Sequence, residues 1–226
     1  TSKPYVGIGV YYNVGAHDEL AGMRGINRIV LNLMDLGTEK YPRAKKQQLY
    51  NTYNSPNDRW SNMDMTGFVS ELPKSELERG LDIESDRMQN PTIDTESLGL
   101  AKKEYKTQLS KYKMDILSRS LDQPRMDMFP KDHPYRIEEM GILENVDTLS
   151  LRTCKRFFNQ YYAPNNSVLV LVGDIDPQQI IPLIYQYFGT IQPSNDIPPD
   201  PGLTYTIKKS KKILKYDLFT PEAGWM

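Results

Sequence analysis

Side chains that bind transition metals are scarce in this chain: 226 residues hold one cysteine, Cys154, and two histidines, His17 and His133. A single cysteine excludes an internal disulfide framework and any cysteine-based zinc cluster, and Cys154 reads as a small buried apolar residue. The histidines lie far apart, neither beside a carboxylate at metal-ligand spacing, and both read as structural or surface residues. No apolar run approaches the ~20 residues of a membrane span, and no signal-peptide pattern is present. A net charge of -1 leaves neither a basic footprint for nucleic acid nor an acidic tail. There is no G-x-S-x-G elbow, no phosphate loop and no dinucleotide fingerprint, since Gly7-Ile8-Gly9 lacks the third glycine and lies within a strand. Glu138 and Glu139 are adjacent and diverge, so they form no acid/base couple.

What is present supports one sizeable α/β or α+β domain, with 38% hydrophobic residues. Its organising stretch runs from Gly25 to Pro42. Ile26, Ile29, Val30, Leu33 and Met34 recur there at helical spacing, and Gly37 supplies the stop. The opposite stripe carries Asn27, Arg28, Leu31, Asn32 and Asp35, with 28, 31 and 32 on one face. Ahead of it, Val6, Ile8, Val10 and Tyr12 alternate with Tyr5, Gly7, Gly9 and Tyr11 as a strand.

Residues 44–50 predict a polar helix, and 51–62, rich in Asn, Ser, Pro and Asp, a loop. A strand over 64–72 and a helix over 74–90 follow, then a long charged helix over 95–121 with Leu98, Ala101, Tyr105, Leu109, Tyr112 and Ile116 as its apolar stripe. Glu104, Gln108, Lys111 and Asp115 share another face of it, with Lys111 and Asp115 at pairing distance along the helix, and that face is either solvated or the wall of a cavity. Residues 123–136 read as a proline-bearing loop, and 149–162 as a helix capped by Thr148 or Ser150. The continuous run from Val168 to Val172 predicts a central strand buried on both faces, and 178–188 a further helix. The expected organisation is a domain over 1–191, a proline-rich linker over 192–206, and the start of a truncated second domain over 207–226.

Five segments, in order, resemble the insulinase/pitrilysin superfamily of zinc peptidases. Val14-Gly15-Ala16-His17-Asp18-Glu19 is similar to the V-G-S-x-D-E turn before that family's zinc helix, and Gly37-Thr38-Glu39-Lys40-Tyr41-Pro42 to its G-T-x-x-Y-P exit. Leu81 to Met88 resembles L-x-x-E-x-D-R-M, Asp132-His133-Pro134-Tyr135 the G-H-P-Y loop, and Tyr161 to Asn166 with Val172 to Pro177 the Y-Y-x-P-N-N…V-G-D-x-D-P segment. The resemblance covers nearly the whole chain.

It implies a LuxS/mitochondrial-processing-peptidase-like metallohydrolase domain, in which a mixed, mainly antiparallel sheet is covered by helices. It also implies zinc, held in H-x-x-E-H and by the second glutamate of an E-x6-E pair. On the register fixed by the flanking motifs, Arg28, Leu31 and Asn32 stand at the three H-x-x-E-H positions, and Lys111 at the second of the glutamates, after Glu104. These vestigial positions predict no zinc or other cofactor, because Arg28 and Lys111 place two cations around the site. Asp58, Arg59, Trp60 and Ser61 stand where the family's substrate-pairing edge strand begins, so Arg59, Trp60 and Ser61 are candidate peptide contacts, with Trp60 alternatively a packed aromatic.

The resemblance thus implies a catalytically inactive subunit or paralogue. Its expected partner is an active zinc-bearing homologous subunit, or a second copy of itself, around a peptide chamber. The alternatives are an active zinc metalloendopeptidase with its ligands elsewhere, and a purely structural or assembly protein. A soluble protein of the bacterial periplasm or cytoplasm is expected, with the mitochondrial matrix as the alternative.

Overall fold

A computed structural model of the chain describes residues 4–131 and 133–199. The sequence element that fixes the sheet is β1 (Tyr5–Tyr12). Its even-numbered side chains Val6, Ile8, Val10 and Tyr12 are buried, because successive residues of a strand face opposite sides. β1 pairs antiparallel with β3 (Thr66–Pro73) on one side and with β4 (Ser167–Gly173) on the other, and β2 (Asn57–Ser61) completes the order β2-β3-β1-β4. The fold is α+β, and every strand pair among the described residues is antiparallel, in line with the mainly antiparallel sheet expected.

Helices cover one face of the sheet. α1 (Ile26–Leu36), α4 (Thr95–Met114) and α7 (Leu151–Tyr161) build the main core around Val10, Tyr12 and Phe68. α3 (Leu77–Gln89) and α8 (Pro177–Phe188) build a second cluster on Val6 and Ile8. α3 approaches closely at Gly80, where a Cβ would lie 2.3 Å from the Ile8 side chain. α2 (Arg43–Thr52) follows α1, while α5 (Ile116–Met128) and α6 (Leu143–Thr148) extend from α4. Ser150 caps α7 by accepting from the Thr153 amide.

Four expectations change. Residues 57–61, read as loop, form the edge strand β2; an edge strand with one open face needs no apolar alternation, and Trp60 folds instead over Gly67, whose Cβ would meet the indole at 2.8 Å. β4 was expected at the centre, buried on both faces. It is the other edge strand of the described sheet, with Val168, Val170 and Val172 61%, 38% and 65% exposed. Only Leu169 and Leu171 pack under helices, so a run of valines and leucines concealed a one-sided strand. The single helix expected over 95–121 ends at Met114, where Asp115 adopts extended backbone with ψ of 96°.

The expected loop over 123–136 begins inside α5, which contains Pro124 and runs to Met128. The Arg125 side chain ties that helix to the following segment by donating to the Tyr135 and Ile137 carbonyls at 2.6 and 2.9 Å. Of the linker expected over 192–206, the first part is pinned to the body by reciprocal bonds between Asn165 and Ser194 at 2.8 and 2.9 Å. The rest of it, and the second-domain start over 207–226, lie outside the described residues.

Candidate functional site

α1 is buried nearly all round, including the polar stripe. Asn27 and Asn32 are buried with Leu31, because β2 and α4 cover that side as the core covers the other. Asn27 donates to the Thr66 hydroxyl at 3.0 Å and accepts from the Tyr162 hydroxyl at 2.6 Å. The helix begins at Gly25, φ 101°, and its cap is a remote carboxylate: buried Glu19 accepts from the Gly25 and Asn27 amides at 2.7 and 2.9 Å. Burial pushes the Glu19 carboxyl up to about 7, opposed by those amides and by Arg24 and Arg28. On α2, buried Lys46 donates to the Asp35 carbonyl at 3.1 Å, and burial beside Arg87 lowers its ammonium to about 7.

These two groups give a pH profile with its minimum near neutrality. For Glu19 the folded-state pKa lies above the unfolded one, so its favourable contribution, complete below pH 4.5, is lost as pH rises to about 7. Lys46 is depressed, so its contribution is complete above pH 10.5 and lost as pH falls to about 7. Urea titrations across this range are expected to show a dip of about 3 kcal/mol near pH 7. Glu19→Gln should flatten the acid arm, and Lys46→Met the alkaline arm.

The four positions assigned from the motif register are brought together unequally. Arg28 is turned into the protein, donates to the Ser61 carbonyl at 3.3 Å and stands 3.8 Å from Glu139. Burial lowers its pKa, and Glu139 opposes this. Leu31 is packed in the core. Asn32 is locked to α4 by amide-amide bonding with Gln108, whose nitrogen donates to its oxygen at 3.1 Å, and by donation to the Ala101 carbonyl at 3.3 Å. Lys111 is exposed on α4.

One feature of the region was missed from the sequence. Arg43 bridges Asp35 at 2.6 Å and Glu104 at 2.8 Å, and Arg59 bridges the same Asp35 at 3.1 Å and the same Glu104. The result is a closed ring of two guanidiniums and two carboxylates drawn from α1, the start of α2, β2 and α4. Each carboxylate is held by two arginines through charge-assisted bonds. The face of Glu104 and Gln108 is thus the wall against α1, while Lys111 lies at its solvated end.

The three candidate peptide contacts lie on β2. The Arg59 side chain is committed to the ring, Trp60 covers Gly67 on the opposite face and stands 6.2 Å from Tyr11, and the Ser61 carbonyl holds Arg28. Among the described residues no strand pairs with the outer edge of β2. His17 lies between Asp18 and Asp64 at 3.4 and 3.7 Å, with its Nδ1 bonded to the Met63 carbonyl at 2.7 Å. His133 is buried, 4.1 Å from the Phe129 ring, and accepts from the Tyr135 amide. Among the described residues, no group of three or more His, Cys, Asp or Glu side chains could hold a metal ion.

The insulinase profile, Peptidase family M16, matches residues 1–135, and the Peptidase M16 inactive domain profile matches residues 148–222. This chain belongs to the insulinase family. Zinc protease PqqE of Helicobacter pylori is 20% identical to it over 192 residues, 82% of this chain and 42% of that protein. The structure of the periplasmic protease PqqL from Escherichia coli superposes with a TM-score of 0.77 at 20% identity, over 90% of this chain and 23% of that one. A peptidase M16 inactive domain from Pseudomonas fluorescens gives a TM-score of 0.71 at 17% identity, over 93% of this chain and 49% of that one. The chain therefore spans less than half the length of these insulinase-family relatives. The solved structures bear out the α+β fold of the family.

Proposed function

We propose that this chain is a catalytically inactive member of the insulinase family, which pairs with a homologous zinc-bearing subunit to enclose a peptide-degrading or peptide-processing chamber. The observation that carries the reading is the environment of Arg28, Leu31 and Asn32. A guanidinium has no lone pair for a metal, a leucine can take no proton from water, and the Asn32 amide is already paired. At the third ligand position Lys111 brings an ammonium, and the nearby carboxylates Asp35 and Glu104 are each bound by two arginines. This donor set does not fit a zinc ion, and no metal-dependent step is assigned to the chain.

Its contribution is instead structural and recognitional. The free edge of β2, with Arg59, Trp60 and Ser61, supports addition of an extended peptide as a further strand. Residues 192–206 lead to a second, related domain, a reading favoured by the span of the relatives. The bacterial periplasm is the proposed compartment; no described helix is long and apolar enough to cross a membrane, and one structural relative is named a periplasmic protease.

Restoring the motif tests the register. The variant Arg28→His, Leu31→Glu, Asn32→His and Lys111→Glu is expected to bind one zinc per chain by elemental analysis, and the natural protein none. Failure of a folded variant to bind zinc would remove the alignment of α1. Stoichiometric zinc in the natural chain would replace this reading with that of an active metallopeptidase.

A further inference from the structure

The strongest electrostatic anomaly lies away from the vestigial site, between α2, α3 and the helix-covered face of the sheet. Arg87 and Glu84 of α3 are both buried and paired at 2.6 Å. The Arg87 guanidinium lies 4.3 Å from the centre of the Phe68 ring, which fixes it against β3. Its Nε and Nη2 are nevertheless buried without a hydrogen-bond partner, and so is the Tyr12 hydroxyl, while the buried hydroxyls of Tyr50 and Ser70 lie beside each other and a bond between them leaves one of their two protons unspent. Lys46, also buried, spends one of its three protons on the Asp35 carbonyl.

Buried polar atoms are almost always satisfied, and a group of orphans calls for an unseen water or ion. Donors dominate the chemistry here. Arginine and lysine accept no hydrogen bonds, and each of the three hydroxyls can donate. The formal charge of Arg87, Glu84 and Lys46 is +1 while Lys46 is protonated. A buried net charge is costly unless it is neutralised.

We propose that this cluster encloses a halide-sized monovalent anion, held by Arg87 Nε and Nη2, the Lys46 ammonium and the hydroxyls of Ser70, Tyr12 and Tyr50. The anion completes the donors and cancels the charge in one step. The site is independent of the peptidase reading, and Lys46 joins it to the ring at Glu104 through Asp35 and Arg43. Its occupancy is linked to protonation of Lys46, which is faced by Asp35 of α1, Arg43 of α2, and Glu84 and Arg87 of α3. Burial and Arg87 depress that ammonium while Asp35 and Glu84 support it, so the anion is retained on the acid side of neutrality and released on the alkaline side.

The test is thermal unfolding of the intact protein in sodium chloride or bromide against sodium gluconate, at equal ionic strength. At about pH 6 chloride is expected to raise Tm by about 3 °C, with the gain gone by about pH 9. The variants Tyr50→Phe and Ser70→Ala each remove one buried hydroxyl, a change that leaves folding intact, and should abolish or at least halve the chloride gain. Lys46→Met should abolish it at every pH. Crystals grown in bromide should show an anomalous peak beside Arg87 Nε. A bromide-free cluster filled by water would overturn the proposal, as would a chloride gain unchanged in all three variants, which would place the ion elsewhere.

Discussion

Glu84→Ala is expected to destabilise the protein by about 3–5 kcal/mol, because it leaves the Arg87 guanidinium buried and uncompensated. Glu84 and Arg87 face each other across one helical turn, both shielded from water. A typical domain is stable by about 5–15 kcal/mol, so the loss is a large share of the total, equivalent to a Tm lower by about 10 °C. The reason is desolvation rather than a lost attraction, and this has a second consequence. Replacing both partners, Glu84→Leu with Arg87→Met, should cost much less than Glu84→Ala alone. Denaturant unfolding of the two variants separates the alternatives: equal losses would mean that the pair is wetter than its burial indicates.

The second large effect is expected at Gly25. Its φ of 101° is closed to L side chains, and an added Cβ would stand 2.6 Å from the Val146 methyl. The backbone there is also in direct contact with Gly141, whose own Cβ would fall 2.4 Å from Gly25 Cα. Backbone strain and overpacking add, so Gly25→Ala should cost about 3 kcal/mol. Gly22 provides the comparison, with φ of 82° and open space around its Cβ position. Gly22→Ala should therefore lose only the backbone part, about 1 kcal/mol. Equal losses at the two sites would show that packing against α6 contributes nothing. A displaced Gly25 would also carry away from Glu19 one of the two amides that oppose its burial shift, so the acid arm of the pH profile should deepen in Gly25→Ala.

Parts of this architecture were legible because they depend on local spacing. The apolar stripe of α1, the alternation of β1 and the flanking turns at Val14 to Glu19 and Gly37 to Pro42 all encode their structure within a few residues. Other parts depend on partners remote in sequence. β2 has no apolar alternation, and its place follows from pairing with β3 and from the indole of Trp60 over Gly67. The valines of β4 read as doubly buried, yet burial of one side depends on what covers the sheet, and no periodicity reports that. Pro124 suggested a loop, whereas α5 continues through it, with Arg125 bound to carbonyls beyond its end.

The candidate site divides in the same way. Arg28, Leu31, Asn32 and Lys111 are assigned from motif register alone. The ring of Asp35, Arg43, Arg59 and Glu104 joins residues up to 69 positions apart, and Asp35, Arg59 and Glu104 stand out in the sequence only for other reasons. A carboxylate at Glu104 without its expected glutamate partner was the one signal that it had acquired a different counter-charge. Equally, the L-x-x-E-x-D-R-M segment placed Glu84 and Arg87 on a helix without revealing that both are enclosed with Lys46.

The central claim is that this chain carries no zinc of its own and works beside a homologue that does. Native mass spectrometry of the intact protein, purified gently from its source, tests it most directly. The account predicts a complex with a second chain bearing H-x-x-E-H, in which the zinc remains with that partner when the complex is dissociated. A chain that keeps one zinc after dissociation, or that associates only with itself, would contradict it.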